Sequence, residues 1–257
     1  MVKVFYRISD KGNPKGTLPY AGKLKCLENT IKEFGHESIH VIADNCLPQT
    51  IDFLKNKNLS FEETSLGNFG SFKYMILEKI LNESDETIVY LLEDDYIHRE
   101  GSKKSLIEGL KIADYVSLYD HPDKYMLNND NGNPFNINKL QTSQIFVSES
   151  CHWRTTNSTP MTFACKVGIL RKDFKVFFRY SMKNKSPKSL YVFSELTRQT
   201  RIHPLFLFLS KRNKRLFFIT LKNYFKKYKR ILITSIPAYA THCHEGTLAP
   251  LIKWENI

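Results

Sequence analysis

Ile88-Val89-Tyr90-Leu91-Leu92-Glu93-Asp94-Asp95 is the stretch whose reading decides the fold of this chain. Its first five residues are all apolar, which reads as a central strand buried on both faces of a parallel sheet. Its last three are carboxylates, which repel one another and cost free energy wherever they approach burial. A buried strand that ends this way has a cation to place. Open α/β sheets bind ligands in the crevice beyond the carboxyl ends of their strands, and the acids occupy that end. The alternative is an acidic turn that stops a strand in solvent.

Outward from this run, the pattern alternates between strand and helix. Val2 to Ile8 reads as a first strand, followed by a Gly/Pro-containing loop from Asp10 to Pro19. Leu24, Leu27, Ile31 and Phe34 recur at helical spacing, with Gly35 as a stop. Ile39 to Ala43 is a second strand ending at Asp44-Asn45, Pro48 opens a short helix carrying Ile51 and Leu54, and Leu59-Ser60-Phe61 is a short third strand. After Gly67-Asn68-Phe69-Gly70, Ser71 is expected to cap a helix with Phe72, Met75, Ile76 and Ile80 on one side. Beyond the acids, Ser102 is expected to cap a helix with Leu106, Leu110 and Ala113 inward, and Tyr115 to Tyr119 is another strand. The alternation predicts an α/β fold with a mostly parallel central sheet flanked by helices. The remainder is less regular: a loop over Asp130 to Pro134, a hydroxyl-rich Ser158 to Phe163, and a helix within Ser189 to Arg201. With no internal repeat or low-complexity linker, residues 1–257 are expected to form one continuous domain. Within it, residues 1–120 are the regular half, residues 121–200 are divergent, and residues 201–257 hold a basic helical region and a C-terminal loop.

A chain of 257 residues with 42% hydrophobic content can bury a sizeable core. It contains no apolar run of the roughly 18 residues that a membrane span needs, and Met1 to Arg7 enters a strand pattern at once instead of resembling a signal peptide. The cytoplasm is the expected location. Five scattered cysteines without a Cys-x-x-Cys pair point to reduced thiols, with neither a disulfide framework nor a zinc ribbon. The net charge of +12 is concentrated: residues 201 to 230 carry ten Lys and Arg and not one acid. Phe217, Leu221, Tyr224, Phe225 and Tyr228 recur there at helical spacing, which describes a basic amphipathic helix able to lie on anionic lipid at the inner face of a membrane. The alternative is a helix packed on the core with a solvated Lys face.

The pattern Gly67-x-x-Gly-Ser-Phe-Lys before a helix, followed by Ile-Val-Tyr-Leu-Leu-Glu-Asp-Asp, resembles the segment bearing the Asp-x-Asp motif in glycosyltransferases of the GT-A fold. The N-acetylglucosaminyltransferase I branch carries a similar Glu-Asp-Asp variant, and the likeness covers about residues 1 to 120. The first position here is Glu93 where the common motif has Asp. The resemblance implies a nucleotide-sugar donor, Mn²⁺ or Mg²⁺ as cofactor, and Asp95 as a metal ligand, with Asp94 at the ribose or the water around the metal. It also implies Asp44 at the nucleoside, Arg7 at the base or phosphates, and Ser71 and Phe72 on the donor side. The chemistry agrees with it. A nucleotide sugar leaves as a diphosphate whose growing charge needs a cation, and hard carboxylate ligands suit Mg²⁺ or Mn²⁺.

Thr241-His242-Cys243-His244-Glu245-Gly246 carries two histidines that face one way if the segment is extended. Many GT-A enzymes supply a C-terminal His to the metal, so His242 or His244 is expected as a further ligand. A zinc site built on Cys243 lacks a second Cys/His pair, and satisfied loop histidines are the remaining alternative. Glu195, read as opening a helix on the acceptor side, is by the GT-A resemblance the expected base for an inverting transfer, with Asp120 and Asp173 behind it and a plain helix cap as the alternative. Trp153 and Arg154 fit a platform for the acceptor or donor sugar, a buried Trp being the alternative. Together these features predict a metal-dependent transfer to a glycan or lipid-linked acceptor. A nucleotidyltransferase of similar fold would want a Gly-rich phosphate loop, which Gly12 to Gly16 only approximates. A nucleic-acid-binding protein would leave the three acids unexplained, so nucleic acid is not the expected partner.

Overall fold

A computed structural model of the chain describes residues 1–11, 18–125, 143–182, 188–198, 214–224 and 229–257. The strands are β1 (Val2–Ile8), β2 (Ile39–Asp44), β3 (Ser60–Thr64), β4 (Ile88–Glu93), β5 (Tyr96–His98), β6 (Tyr115–Ser117), β7 (Ile145–Val147), β8 (His152–Thr155), β9 (Phe163–Lys166), β10 (Leu232–Ile236) and β11 (Ala240–His242). The α-helices are α1 (Lys23–Phe34), α2 (Pro48–Asn56), α3 (Gly67–Tyr74), α4 (Ser102–Ile112), α5 (Val167–Phe177), α6 (Ser189–Thr197) and α7 (Lys214–Tyr224). Nine strands form one sheet in the order β3-β2-β1-β4-β9-β6-β10-β8-β7, and β5 pairs with β11 in a second, two-stranded ladder. From the pairing senses, seven of the nine strands point one way, with β8 and β9 reversed.

Strand alternation divides the core. Val4, Tyr6, Ile8, Tyr90 and Leu92 pack with Leu27, Phe34, Leu54 and Leu106 of α1, α2 and α4. Phe5, Val89 and Leu91 face the other way and pack with Phe72, Leu170, Phe193 and Leu216 of α3, α5, α6 and α7. Both faces are covered, which is why the run Ile88 to Leu92 has no polar position.

From β1 the chain builds outward through β2 and β3 and then returns to place β4 on the other side of β1. The switch point between β1 and β4 leaves a crevice at the strand-exit edge, where ligands of open α/β sheets bind. The acids Glu93, Asp94 and Asp95 end β4 at that edge.

Several expectations change in detail. Gly67, with φ at +72°, precedes Ser71 at the start of α3, so Ser71 lies within the helix and does not cap it. Gly101, in the left-handed region, precedes Ser102 at the start of α4. Residues 232–236, given no strand in the region 201–257 that the sequence reads as a basic helix and a C-terminal loop, form β10 inside the sheet between β6 and β8. Within α7, Leu216, Ile219 and Asn223 are buried, whereas Leu221 is 46% exposed and Phe218 61% exposed. The buried stripe is therefore offset from the one predicted, and Phe225 and Tyr228 lie outside the described residues.

Candidate metal centre

Two local features bring the C-terminal histidines to the β4 acids. Asp94 and Asp95 form a two-residue turn between β4 and β5, and β11 runs antiparallel to β5 in a register that sets His242 opposite Tyr96. The Cys243 N–H then donates to the Asp95 carbonyl at 2.8 Å. Strand alternation sends Cys243 inward to the small apolar cluster with Cys26 and Ile97, and sends His242 and His244 to the other side.

His242 Nε2 lies 2.9 Å and His244 Nε2 3.2 Å from the same oxygen, Asp95 Oδ2. The two rings are 4.4 Å apart, centroid to centroid. His242 Nδ1 meets Thr247 Oγ1 at 3.0 Å, and that hydroxyl donates to the His244 carbonyl at 2.9 Å. The donor and acceptor roles of the His242 ring follow its tautomer: with Nδ1–H donating to Thr247, its Nε2 lone pair is aimed at a carboxylate oxygen. Two acceptors at that distance repel unless a proton or a metal ion lies at the junction. The oxygen and nitrogen donor set of one carboxylate and two imidazoles suits Mn²⁺ and other divalent first-row ions, and the three ligand atoms lie within 4.8 Å of one another. The residues present therefore fit a divalent cation.

Asp94 sits behind this cluster and accepts from the Ser9 N–H at 3.0 Å, at the end of β1. Burial pushes its carboxyl up to about 6, and neighbouring Asp95 and Glu93 push the same way against the Ser9 N–H and Lys23.

The other expected donor-side residues are engaged within the fold. Arg7 and Glu93 are direct neighbours in the β1–β4 register and form an ion pair. Arg7 also donates to the carbonyl and side chain of Asn68, both at 2.8 Å, with its guanidinium 5.3 Å from the Phe72 ring. Ser71 and Phe72 are buried beneath it. Asp44 is buried too and accepts from Thr64 Oγ1, the Leu66 N–H and Asn45 Nδ2, so it ties β2 to the loop before α3.

The structure does not bring Glu195 to the acids. It lies near the end of α6, not at a helix start, and its buried carboxylate accepts from Arg179 at 2.9 and 3.0 Å, Tyr180 at 2.8 Å and Lys222 at 3.2 Å. The next carbonyl, of Leu196, accepts from the Arg230 N–H just before β10, at the strand-entry edge. Asp173 likewise pairs with Arg230, at 2.8 Å. Asp120 differs from both. It follows β6 at the strand-exit edge, where it pairs with Arg154 and accepts from Tyr125.

Trp153 is a core residue instead of a sugar platform: it is fully buried, and its Nε1 donates to Ser148 Oγ at 3.0 Å. A Cβ added at Gly109 of α4 would come within 2.8 Å of its ring and 2.9 Å of Val116. Gly109→Val is accordingly expected to lower stability by about 1–3 kcal/mol through overpacking, read as a shift in the urea midpoint. An unchanged midpoint would show that this contact yields freely.

Sequence reasoning missed Thr247 and Lys23. Thr247 lies one residue past the Thr241 to Gly246 motif and meets both histidines locally, whereas Lys23 lies in no motif and reaches the site through α1. A groove of about 380 Å³ bordered by Lys3, His40, Lys79 and Glu83 lies at the strand-entry edge, remote from this chemistry.

No family model matches this sequence, and no curated protein matches it. Among solved structures, S. aureus TarS 1-349 is similar, with 15% identity over 76% of this chain and 54% of that chain at a TM-score of 0.43. The galactosyltransferase LgtC, in complex with donor and acceptor sugar analogs, is similar over 100% of this chain and 91% of its own, with 10% identity and a TM-score of 0.46. HddC from Yersinia pseudotuberculosis covers 72% of this chain and 83% of its own, with 14% identity and a TM-score of 0.41. The chain spans about half the length of the TarS piece. All three likenesses are distant, so the reading of the site rests on its own residues.

Proposed function

We propose that this chain is a metal-dependent glycosyltransferase of the GT-A type, moving a sugar from a nucleotide-sugar donor to a glycan or lipid-linked acceptor. The observation that carries the reading is the convergence of Asp95, His242 and His244 on one point at the β1–β4 switch point. These residues would hold a divalent cation, Mn²⁺ matching the two imidazoles better than the oxygen-preferring Mg²⁺, and when bound it would supply charge neutralisation for a departing diphosphate. The chain's own residues set the rest. Thr247 orients His242, the Cys243–Asp95 backbone bond holds the histidines against the acid, and the Arg7–Glu93 pair fixes the end of β4. Inverting transfer needs a base on the acceptor side. Asp120 stands at the strand-exit edge where Glu195 does not, and we assign it this role on position, which requires it to leave the Arg154 and Tyr125 partners that hold it buried.

A thermal-shift screen of UDP, GDP, CMP and dTDP sugars with and without Mn²⁺ tests the reading, because a ligand that binds the native state raises stability by mass action. At least one donor is expected to stabilise the protein only when Mn²⁺ is present. Stabilisation by free nucleoside triphosphates alone would favour a nucleotidyltransferase, and steeply salt-sensitive nucleic-acid binding with no nucleotide response would sink both.

The acceptor side of the proposal includes an anionic membrane surface. Phe218 and Leu221 stand exposed on α7 beside Lys222, within a stretch that has ten cations and no acid. No helix among the described residues is long and apolar enough to cross a membrane. Each cation near an acidic surface contributes about 1 kcal/mol, and buried apolar tips add to it. In liposome flotation, binding to vesicles with phosphatidylserine but not to neutral ones is expected, and Phe218→Ser with Leu221→Ser should weaken it. Equal recovery with both vesicle types would refute the docking.

A further inference from the structure

Lys23 opens α1 with its ammonium turned over the strand-exit edge, 3.8 Å from Asp94 Oδ2 and 3.9 Å from Asp10 Oδ1, and donates to the Ser9 carbonyl. The ends of β1 and β4 thus surround one cation. Its position in the helix is unfavourable taken alone. The first turn of α1 holds no acid, Gly22 before it offers no side-chain cap, and Lys25 adds a second positive charge to the same turn. An acid there would stabilise the helix, whereas a lysine opposes its dipole.

The charge balance of the proposed reaction gives Lys23 a task. When the sugar moves, the bond from its anomeric carbon to the phosphate oxygen breaks with the electron pair staying on that oxygen. The acceptor oxygen bonds to the carbon, and its proton passes to the base. The diphosphate, bound with two negative charges, therefore leaves with a third, while a divalent ion supplies only two positive ones. Arg7 is committed to Glu93 and Asn68. Lys23 meets its two carboxylates only beyond hydrogen-bond distance, it donates to the Ser9 carbonyl, and its side chain is 35% exposed.

Resting on the glycosyltransferase reading above, we infer that Lys23 is a catalytic residue that binds the donor's diphosphate and neutralises the charge developing on its leaving oxygen. A lysine suits this as a compact point charge on a flexible stem, able to leave Asp94 and Asp10 for a phosphate within a few ångströms. Interactions that strengthen as charge develops lower the barrier, so its loss acts on kcat as well as on binding.

Titration calorimetry of the parent, Lys23→Gln and Lys23→Arg with UDP, GDP, CDP and dTDP and the matching nucleosides, all in Mn²⁺, tests this together with steady-state kinetics. Lys23→Gln is expected to weaken nucleoside diphosphate binding on the order of 10- to 100-fold, to leave nucleoside binding unchanged, and to lower kcat more than it alters KM. Lys23→Arg should recover most of the loss. Unchanged diphosphate affinity and kcat in Lys23→Gln would overturn the assignment. Equal loss of nucleoside and diphosphate binding with a lowered melting temperature and no rescue by Arg would also overturn it, making Lys23 a pin for α1. If the parent binds no nucleoside diphosphate, the transferase reading itself falls, an outcome visible before any variant is compared.

Discussion

Asp95→Asn is expected to fold like the parent and to lose metal-dependent transfer by on the order of 10²–10³-fold, the loss typical of removing one preorganised charge-stabilising group. The physical reason is that both imidazoles address one Asp95 oxygen, so this carboxylate supplies the anionic ligand of the cluster. An amide keeps the shape yet offers a neutral oxygen or, if flipped, an N–H donor, and neither replaces the negative charge that a carboxylate brings to a divalent cation. The Asp95 main-chain carbonyl still accepts from Cys243, so the β5–β11 ladder should survive. Transfer assays over a Mn²⁺ titration, with circular dichroism as the fold control, decide the matter. An Asp95→Asn protein that stays active and metal-responsive would remove Asp95 from the proposed centre.

Replacing His242 or His244 by Ala should raise the Mn²⁺ concentration for half-maximal activity on the order of 10- to 100-fold, since a missing ligand weakens the shell. His242→Ala should have the larger effect, because Thr247 fixes its ring before any ion binds. Thr247→Val then provides a graded control: it keeps both imidazoles but frees the His242 ring, so a smaller shift in the same direction is expected. If both single histidine variants titrate like the parent, the Asp95 cluster is a structural hydrogen-bond network.

Much of the regular half was legible because its signals are local. The run Ile88 to Leu92 is apolar throughout, as a strand covered on both faces must be, and Leu24, Leu27, Ile31 and Phe34 keep the 3.6-residue period of a helix with one buried side. The short strands β7, β8 and β9 of the second half carry no such signal. They run three or four residues each, too short to establish a period, and apart from the local β7–β8 pair their partners come from distant segments. The strand β10 escaped notice for a related reason: it follows a cationic stretch whose composition dominates the reading, although Leu232 and Ile233 are fully buried.

By itself the sequence determined the α/β alternation, the acidic end of β4 and the matching pair of histidines, because periodicity, adjacency and side-chain chemistry are properties of short segments. Only the tertiary structure decided which charges are available for chemistry. Arg7, Asp44 and Glu195 look like free functional groups in one dimension, yet each has its partners within the fold, since a buried charge is tolerated only when paired. His242 and His244 stand 147 and 149 residues from Asp95, and the β5–β11 register closes that separation. Lys23 reaches the same edge because α1 begins where β1 ends.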